Sequence, residues 1–214
     1  MKRRGGILIA TTGVGAAAAV GALAFGIAQR RAEEEAERLA LLLGWGPGTT
    51  FADVGAGAGS FAVRAAQRTD RVYATEVEES KRRKIERAAR RSKLSNNVSV
   101  IAAGEHSANL PDDSCDSVLI RGAYHHFPDP AGINGSLFRA LRPGGSVAVV
   151  DFRPRFWLGL FVPVRGVPAN RGRHGIDPAI VREEFEASGF QFVQLIDPWV
   201  GDRYALVLRK PVSA

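Results

Sequence analysis

Cysteine is nearly absent from this chain of 214 residues, which contains only Cys115. A single thiol excludes a disulfide within the chain and excludes chemistry that needs a pair of cysteines. The sequence also lacks a cluster of acidic residues with the spacing of metal ligands, which argues against a magnesium site. These absences exclude functions that need a pair of cysteines and disfavour magnesium-dependent catalysis.

Acidic residues are missing from positions 1–31, where Lys2, Arg3, Arg4, Arg30 and Arg31 stand. Most of the net charge of +7 therefore belongs to the N-terminus, since the remaining chain has 24 basic and 22 acidic residues. A nearly neutral body gives no electrostatic reason to expect nucleic acid as a partner.

Charged side chains are also absent from residues 5–28. A helix of that length reaches about 36 Å, which exceeds a hydrocarbon layer of about 30 Å. This run predicts an N-terminal apolar helix and a membrane anchor in residues 1–30, ahead of one domain in residues 31–214. Alternatives are a presequence cleaved after Ala22-Leu23-Ala24 and a flexible tail. Basic residues flank the run on both sides, so they do not decide its orientation.

Beyond the anchor, apolar strands alternate with helices, starting with a helix at 32–43. We predict strands near 50–54, 71–75, 97–102, 116–121, 145–150, 190–196 and 204–209, and further helices near 59–68, 78–93, 129–141 and 177–188. Such alternation is typical of a doubly wound, Rossmann-like α/β fold with a mostly parallel sheet. Its ligand is expected at the carboxyl ends of the strands.

The first of these strands ends at Asp53-Val54 and continues into Gly55-Ala56-Gly57-Ala58-Gly59. Glycines let the chain turn sharply and let backbone N–H groups approach a ligand. The carboxylate of Asp53 suits a cationic group and would repel a pyrophosphate. Glu76, about 20 residues further on, stands where an acid meets a ribose. These residues indicate an adenosine cofactor but leave a dinucleotide open, because Gly57 to Ala62 also fit the G-x-G-x-x-A pattern.

Three later segments decide between these cofactors. A third strand ends in Gly104-Glu105, residues 110–120 read LPDDSCDSVLI, and residues 141–151 read LRPGGSVAVVD. Over about residues 45–150 this series resembles the class I S-adenosylmethionine-dependent methyltransferases. The resemblance implies seven strands with the last one antiparallel, and S-adenosylmethionine as cofactor. It implies cofactor contacts from Asp53, Gly55, Ala56, Gly57, Gly59, Glu76, Glu105, His106 and Arg121.

The acceptor side of this family begins after the fourth strand, where Tyr124, His125 and His126 stand. An imidazole with a pKa near 6.5 can take a proton from an acceptor at neutral pH. We expect His126 to be this base, with His125, Tyr124 and His174 as alternatives. Each of these side chains could instead only pack or hydrogen-bond.

The absence of two motifs narrows the range of acceptor classes. Arg121-Gly122-Ala123-Tyr124 stands where nucleic-acid amino methyltransferases carry an Asn-Pro-Pro-Tyr motif, and the chain has no Pro-Cys nucleophile. The expected acceptor is a small molecule, apolar or associated with the membrane. The catalytic domain is expected on the cytosolic side, where its cofactor is made, or in an organelle matrix after cleavage. A protein or RNA methyltransferase and a non-catalytic, membrane-tethered binding module stay open as alternatives.

Overall fold

The computed structural model describes residues 11–154, 166–168, 171 and 174–212, with side chains from residue 21 onward. The chain forms two compact units, Met1–Arg38 and Leu39–Ala214. Helix α1 spans Thr11–Leu43. The predicted uncharged run 5–28 begins outside the described residues. Among those that are described, no helix is both long and apolar enough to cross a membrane. The anchor and the division between residues 30 and 31 stay predictions.

The second unit contains a seven-stranded sheet in the described part of the chain. Its strands are β1 Thr50–Val54, β2 Arg71–Glu76, β3 Val98–Ala102, β4 Cys115–Arg121, β5 Leu141–Phe152, β6 Gln191–Ile196 and β7 Arg203–Arg209. They lie in the order β3-β2-β1-β4-β5-β7-β6. Strands β1 to β5 are parallel, and β7 is antiparallel to both β5 and β6. The fold predicted from the sequence is confirmed, including its antiparallel last strand.

Helices connect these strands as predicted, with ends that differ by one or a few residues. They are α2 Ser60–Ala66, α3 Glu79–Arg91, α4 Pro130–Ala140 and α5 Pro178–Glu186. Aspartates cap α4 and α5, since Asp129 accepts from Gly132 N–H at 3.0 Å and Asp177 accepts from Ala179 N–H at 2.9 Å. A proline follows each cap at the first helical position, where its missing N–H has no cost. Tyr124–His126 form a 3-10 turn that the sequence pattern did not predict.

The carboxyl edge of the parallel strands is where the polar residues gather. The strand order reverses beside β1, which lies between β2 and β4, and ligands of doubly wound sheets bind outside such a reversal. Asp53, Glu76 and Asp151 lie at or near the carboxyl ends of β1, β2 and β5, and all three are buried. Three buried carboxylates at one edge of the sheet mark the candidate site.

Candidate active site

The turn from β1 to α2 is held in place by β2. The N–H groups of Gly55 and Ala56 both donate to the Thr75 carbonyl at 3.0 Å. Gly55 has φ +72°, and a Cβ there would lie 2.7 Å from the Cβ of Ala123, so only glycine fits. Gly57 also has a positive φ, +58°, but a Cβ there would meet nothing within 4 Å. The space above Gly57 is therefore open, as a ligand that approaches the backbone requires.

Glu76 lies directly against this turn. Its Oε2 accepts from Gly57 N–H at 3.0 Å, while its Oε1 accepts from Val77 N–H at 3.0 Å. The carboxylate is thus fixed by backbone donors and does not depend on a flexible side-chain partner. The structure places Glu76 beside Gly57, and its contact with a ribose stays a prediction.

Asp53 is buried just beneath the same turn. Burial raises the pKa of this carboxyl to about 7, although the Ala62 N–H and the Arg121 charge act to lower it. Glu76 adds to the rise by its negative charge. Arg121 itself lies over the Phe61 ring, with its guanidinium carbon 4.6 Å from the centroid. A buried carboxyl of this kind gains most from a cationic ligand, which would restore its ionised form.

The segment after β3 brings Glu105 and His106 to the edge beside β2. Ala103 N–H donates to the Glu76 carbonyl at 3.3 Å, and both Glu105 and His106 are exposed. His106 Nδ1 lies 2.7 Å from Asp129 Oδ2. The Gly132 N–H and then His106 hold the pKa of Asp129 below its usual value. Asp129 therefore joins this loop to α4. The predicted contact of His106 with an adenine stays a prediction.

The 3-10 turn after β4 carries the candidate base. His125 N–H donates to Asp151 Oδ2 at 3.2 Å, and His125 Nδ1 lies 2.8 Å from Asp151 Oδ1. Since an ionised carboxylate can only accept, Nδ1 of His125 carries the proton in this pair. Both residues are buried, with His125 4% exposed and Asp151 0% exposed. Asp151 fixes the backbone and the ring of His125 together.

His126 is exposed and packs against this fixed ring, with centroids 3.9 Å apart. Desolvation lowers the pKa of His126, and the basic side chains of His125, His174 and Lys81 act in the same direction. The negative charge of Asp151 acts in the opposite direction. His126 is therefore neutral at pH 7 and available to accept a proton. Three of the predicted residues, His125, His126 and His174, come together here.

Comparison with known proteins places these features in a family. Residues 52–149 match the methyltransferase domain family. Over 119 residues the chain is 34% identical to 27-O-demethylrifamycin SV methyltransferase of Amycolatopsis mediterranei, covering 54% of this chain and 43% of that protein. It is 31% identical over 115 residues to sterol 24-C-methyltransferase of Aspergillus fumigatus, covering 53% and 30%. The match thus spans less than half the length of either curated relative.

The solved structures agree on the fold. A SAM-dependent methyltransferase from Aquifex aeolicus superimposes with a TM-score of 0.68 at 21% identity, covering 82% of this chain and 89% of that one. The chain thus contains a methyltransferase domain with the fold of the class I S-adenosylmethionine-dependent enzymes. The family and the cofactor predicted from the sequence are confirmed.

We call Asp53, the glycine turn that follows it and Glu76 the cofactor edge. This cofactor edge fits S-adenosylmethionine. The ligand has cationic groups, ribose hydroxyls and no pyrophosphate. Asp53 offers a buried carboxylate to a cation, Glu76 offers carboxylate oxygens beside the turn, and the space over Gly57 is open. A pyrophosphate would instead meet the carboxylate of Asp53, which has its own sign. The individual contacts of these residues with the cofactor stay predictions.

Tyr124 lies on the buried side of the turn in the methyltransferase. Its hydroxyl donates to Glu184 Oε2 at 2.8 Å and accepts from Asn134 Nδ2 at 2.9 Å. Burial raises the pKa of Tyr124 above its ordinary value, so the phenol stays protonated. The geometry favours a structural role for Tyr124 over the acid-base role considered from sequence.

Sequence reasoning missed two acids that shape this site. Asp151 had a usable signal, because it ends a buried strand parallel to β4 and so must lie beside the turn that follows β4. Glu184 had none, since it lies within α5, 60 residues from Tyr124.

Proposed function

We propose that this methyltransferase transfers the methyl group of S-adenosylmethionine to a small organic acceptor, apolar or associated with a membrane. The observation that carries the proposal is the exposed, neutral His126, held next to a buried His125–Asp151 pair at the edge that also bears Asp53 and Glu76. The two curated relatives are named for a demethylrifamycin and a sterol, which supports a small acceptor.

The cofactor side of the site must bind S-adenosylmethionine and orient it. When bound, S-adenosylmethionine supplies an electrophilic methyl group and leaves as a neutral thioether. Asp53 would hold a cationic group of the cofactor, and Glu76 would accept from its ribose hydroxyls. Because the Glu76 carboxylate is fixed by Gly57 and Val77, it meets the ligand already oriented.

The acceptor side needs to remove a proton. As a lone pair of the acceptor oxygen or nitrogen forms the bond to the methyl carbon, His126 takes the proton that this atom releases. His126 is exposed, so the proton then passes to water. A positioned base of this kind contributes about 10²-fold to 10⁴-fold to the rate.

Labelled methyl transfer into fractionated host extract tests this function. The full-length enzyme, S-adenosylmethionine with a labelled methyl group, and extract are incubated together, with the His126→Ala variant as the matched blank. We expect label in small molecules that partition into organic solvent. Label in protein or RNA would instead support an acceptor of that class. Cofactor binding with no label in any fraction would contradict catalysis and favour a binding module.

We also propose that residues 5–28 hold the enzyme at a membrane, with the catalytic domain on the cytosolic side. The length of the uncharged run supports the membrane location, and the synthesis of the cofactor inside cells supports the cytosolic side. We expect full-length protein to resist carbonate extraction. Recovery of uncleaved protein in the soluble fraction would contradict the anchor, and a mature N-terminus near Phe25 or Gln29 would show a presequence.

A further inference from the structure

A buried polar network lies beneath the turn that carries His126. Its four members are Tyr124, Asn134, Arg171 and Glu184. Arg171 forms an ion pair with Glu184, whose other oxygen accepts from the Tyr124 hydroxyl at 2.8 Å. Tyr124, Asn134 and Arg171 are 0% exposed. The methyl transfer described above uses none of these groups directly.

The hydrogen bonds in this network have only one possible direction. Glu184 is paired with an arginine, so it is ionised and can only accept. The Tyr124 hydroxyl must therefore donate to Glu184, which leaves the phenol oxygen to accept from Asn134 Nδ2 at 2.9 Å. The Tyr124 hydroxyl is thus satisfied by one donor and one acceptor. A network that is ordered in this way fixes the tyrosine in one orientation.

Packing alone would not require these polar groups. The Tyr124 ring already contacts the Phe127 and Phe185 rings, with centroids 5.3 Å and 5.4 Å away. A phenylalanine could fill the same space, and burial of a charged arginine and glutamate costs several kcal/mol of desolvation. Apolar packing thus already stabilises the position of the Tyr124 ring. The polar network additionally fixes the orientation of its hydroxyl group.

The turn is anchored at two consecutive residues by different parts of the sheet and helices. His125 is held by Asp151 on β5, and Tyr124 is held by Glu184 on α5 and Asn134 on α4. The next residue is His126, whose N–H donates back to the Ala123 carbonyl at 3.0 Å. With both preceding side chains held, the backbone from which His126 projects is held as well, and its ring packs on that of His125.

We propose that Tyr124, Asn134, Arg171 and Glu184 are positioning residues that set the orientation of His126 toward the acceptor. The acceptor role of His126 rests on the proposed function, but its positioning does not. Removal of the Tyr124 hydroxyl should loosen the turn, weaken the packing of the His126 ring on His125 and leave the cofactor edge unchanged.

The test is a histidine NMR titration of the full-length protein, with the His126 ring signal assigned by His126→Gln. Tyr124→Phe keeps the ring contacts and deletes only the hydroxyl. We expect the pKa of His126 to rise toward its ordinary value in this variant, and S-adenosylmethionine affinity to stay within about twofold. Glu184→Ala should act in the same way. Glu184→Gln should shift the titration less than Glu184→Ala, since its one amide oxygen still accepts from Tyr124 but leaves none for Arg171.

The matched control is Glu183→Gln, one residue away on the exposed side of α5, which should change nothing. Should Tyr124→Phe not fold, Asn134→Ala removes the other hydrogen bond and should raise the pKa of His126 as well. An unchanged His126 titration in folded Tyr124→Phe and Glu184→Ala would overturn the proposal. A shifted titration in an enzyme that never transfers methyl groups would contradict the proposed function and leave the positioning intact.

Discussion

The cofactor edge and the 3-10 turn Tyr124–His126, here called the acceptor turn, lie at the same end of one sheet. Different kinds of contact hold them in place. At the cofactor edge, backbone N–H groups fix the carboxylate of Glu76, and its partner Gly57 is 19 residues away in the sequence. At the acceptor turn, side chains fix His125 and Tyr124 from 26 and 60 residues away. A site built on backbone donors keeps its geometry when side chains change. The acceptor turn is therefore the region that substitutions can adapt to a new acceptor.

The two regions also differ in charge. Asp53, Glu76 and the exposed Glu105 make the cofactor edge acidic. His125, His174 and Lys81 surround His126 with basic groups that lower its pKa. Acidic groups attract a cationic cofactor, while basic neighbours keep a proton acceptor unprotonated. Each region thus has the charge that its part of the reaction requires.

Gly57→Val should have the largest effect, a loss of about 100-fold or more in S-adenosylmethionine affinity. The branched side chain would fill the open space over the turn and would need a φ that valine avoids. Gly201→Val is the matched control, because Gly201 has φ +62° and the same open surroundings, in the turn before β7. Calorimetry should find normal affinity for the control. Equal losses in both variants would show that strain, and not obstruction, causes the effect.

His126→Ala should lower turnover by about 100-fold with little change in cofactor affinity, because it removes the base and no cofactor contact. Steady-state rates on the acceptor found in extract would measure turnover, and calorimetry would measure binding. Normal turnover in this variant would make His126 structural and direct attention to His125 or His174.

Acidification should weaken cofactor binding through Asp53. Its pKa is about 7 in the free protein, and a bound cation would lower it. The ionised form binds, so affinity should fall about tenfold for each pH unit below 7 and should be constant above it. Calorimetry between about pH 5.5 and 8 measures this slope. Asp53→Ala should bind too weakly to show one, and an unchanged affinity across this range would contradict the role of Asp53.

Asp53 should also cost stability in the free protein, which is the smallest of these effects. Its folded pKa, about 7, lies above the ordinary value of 3.8 that an unfolded chain has. The contribution of Asp53 to the free energy of unfolding is therefore most favourable below about pH 4, and it is lost as the pH rises to about 7. At pH 8, Asp53→Asn should raise the free energy of unfolding by roughly 2 kcal/mol, below the ceiling that 1.4 kcal/mol per pKa unit sets. Urea unfolding should show no such gain at pH 4.

Much of the cofactor edge could be predicted from the sequence, because its residues act through local geometry. A strand, a glycine turn and an acid at the end of the next strand place Asp53, Gly57 and Glu76 together in any doubly wound sheet. The alternation of strands and helices likewise predicts the sheet, and the structure confirms it.

The acceptor turn was harder to predict, because long-range contacts between side chains decide it. The sequence indicated His125 and His126 as candidates. It predicted neither the 3-10 turn nor that His125 is buried while His126 is exposed. Glu184 and Asn134 look like ordinary residues of surface helices until the packing of α4 and α5 on Tyr124 is known. No periodicity marks such contacts in advance.

The most direct test of the central claim is a calorimetric titration of the full-length protein with S-adenosylmethionine and, separately, with NAD. The carboxylate of Asp53 at the turn predicts binding of S-adenosylmethionine with a Kd on the order of micromolar, and no binding of NAD, whose pyrophosphate it would repel. Preferential binding of NAD would contradict the account.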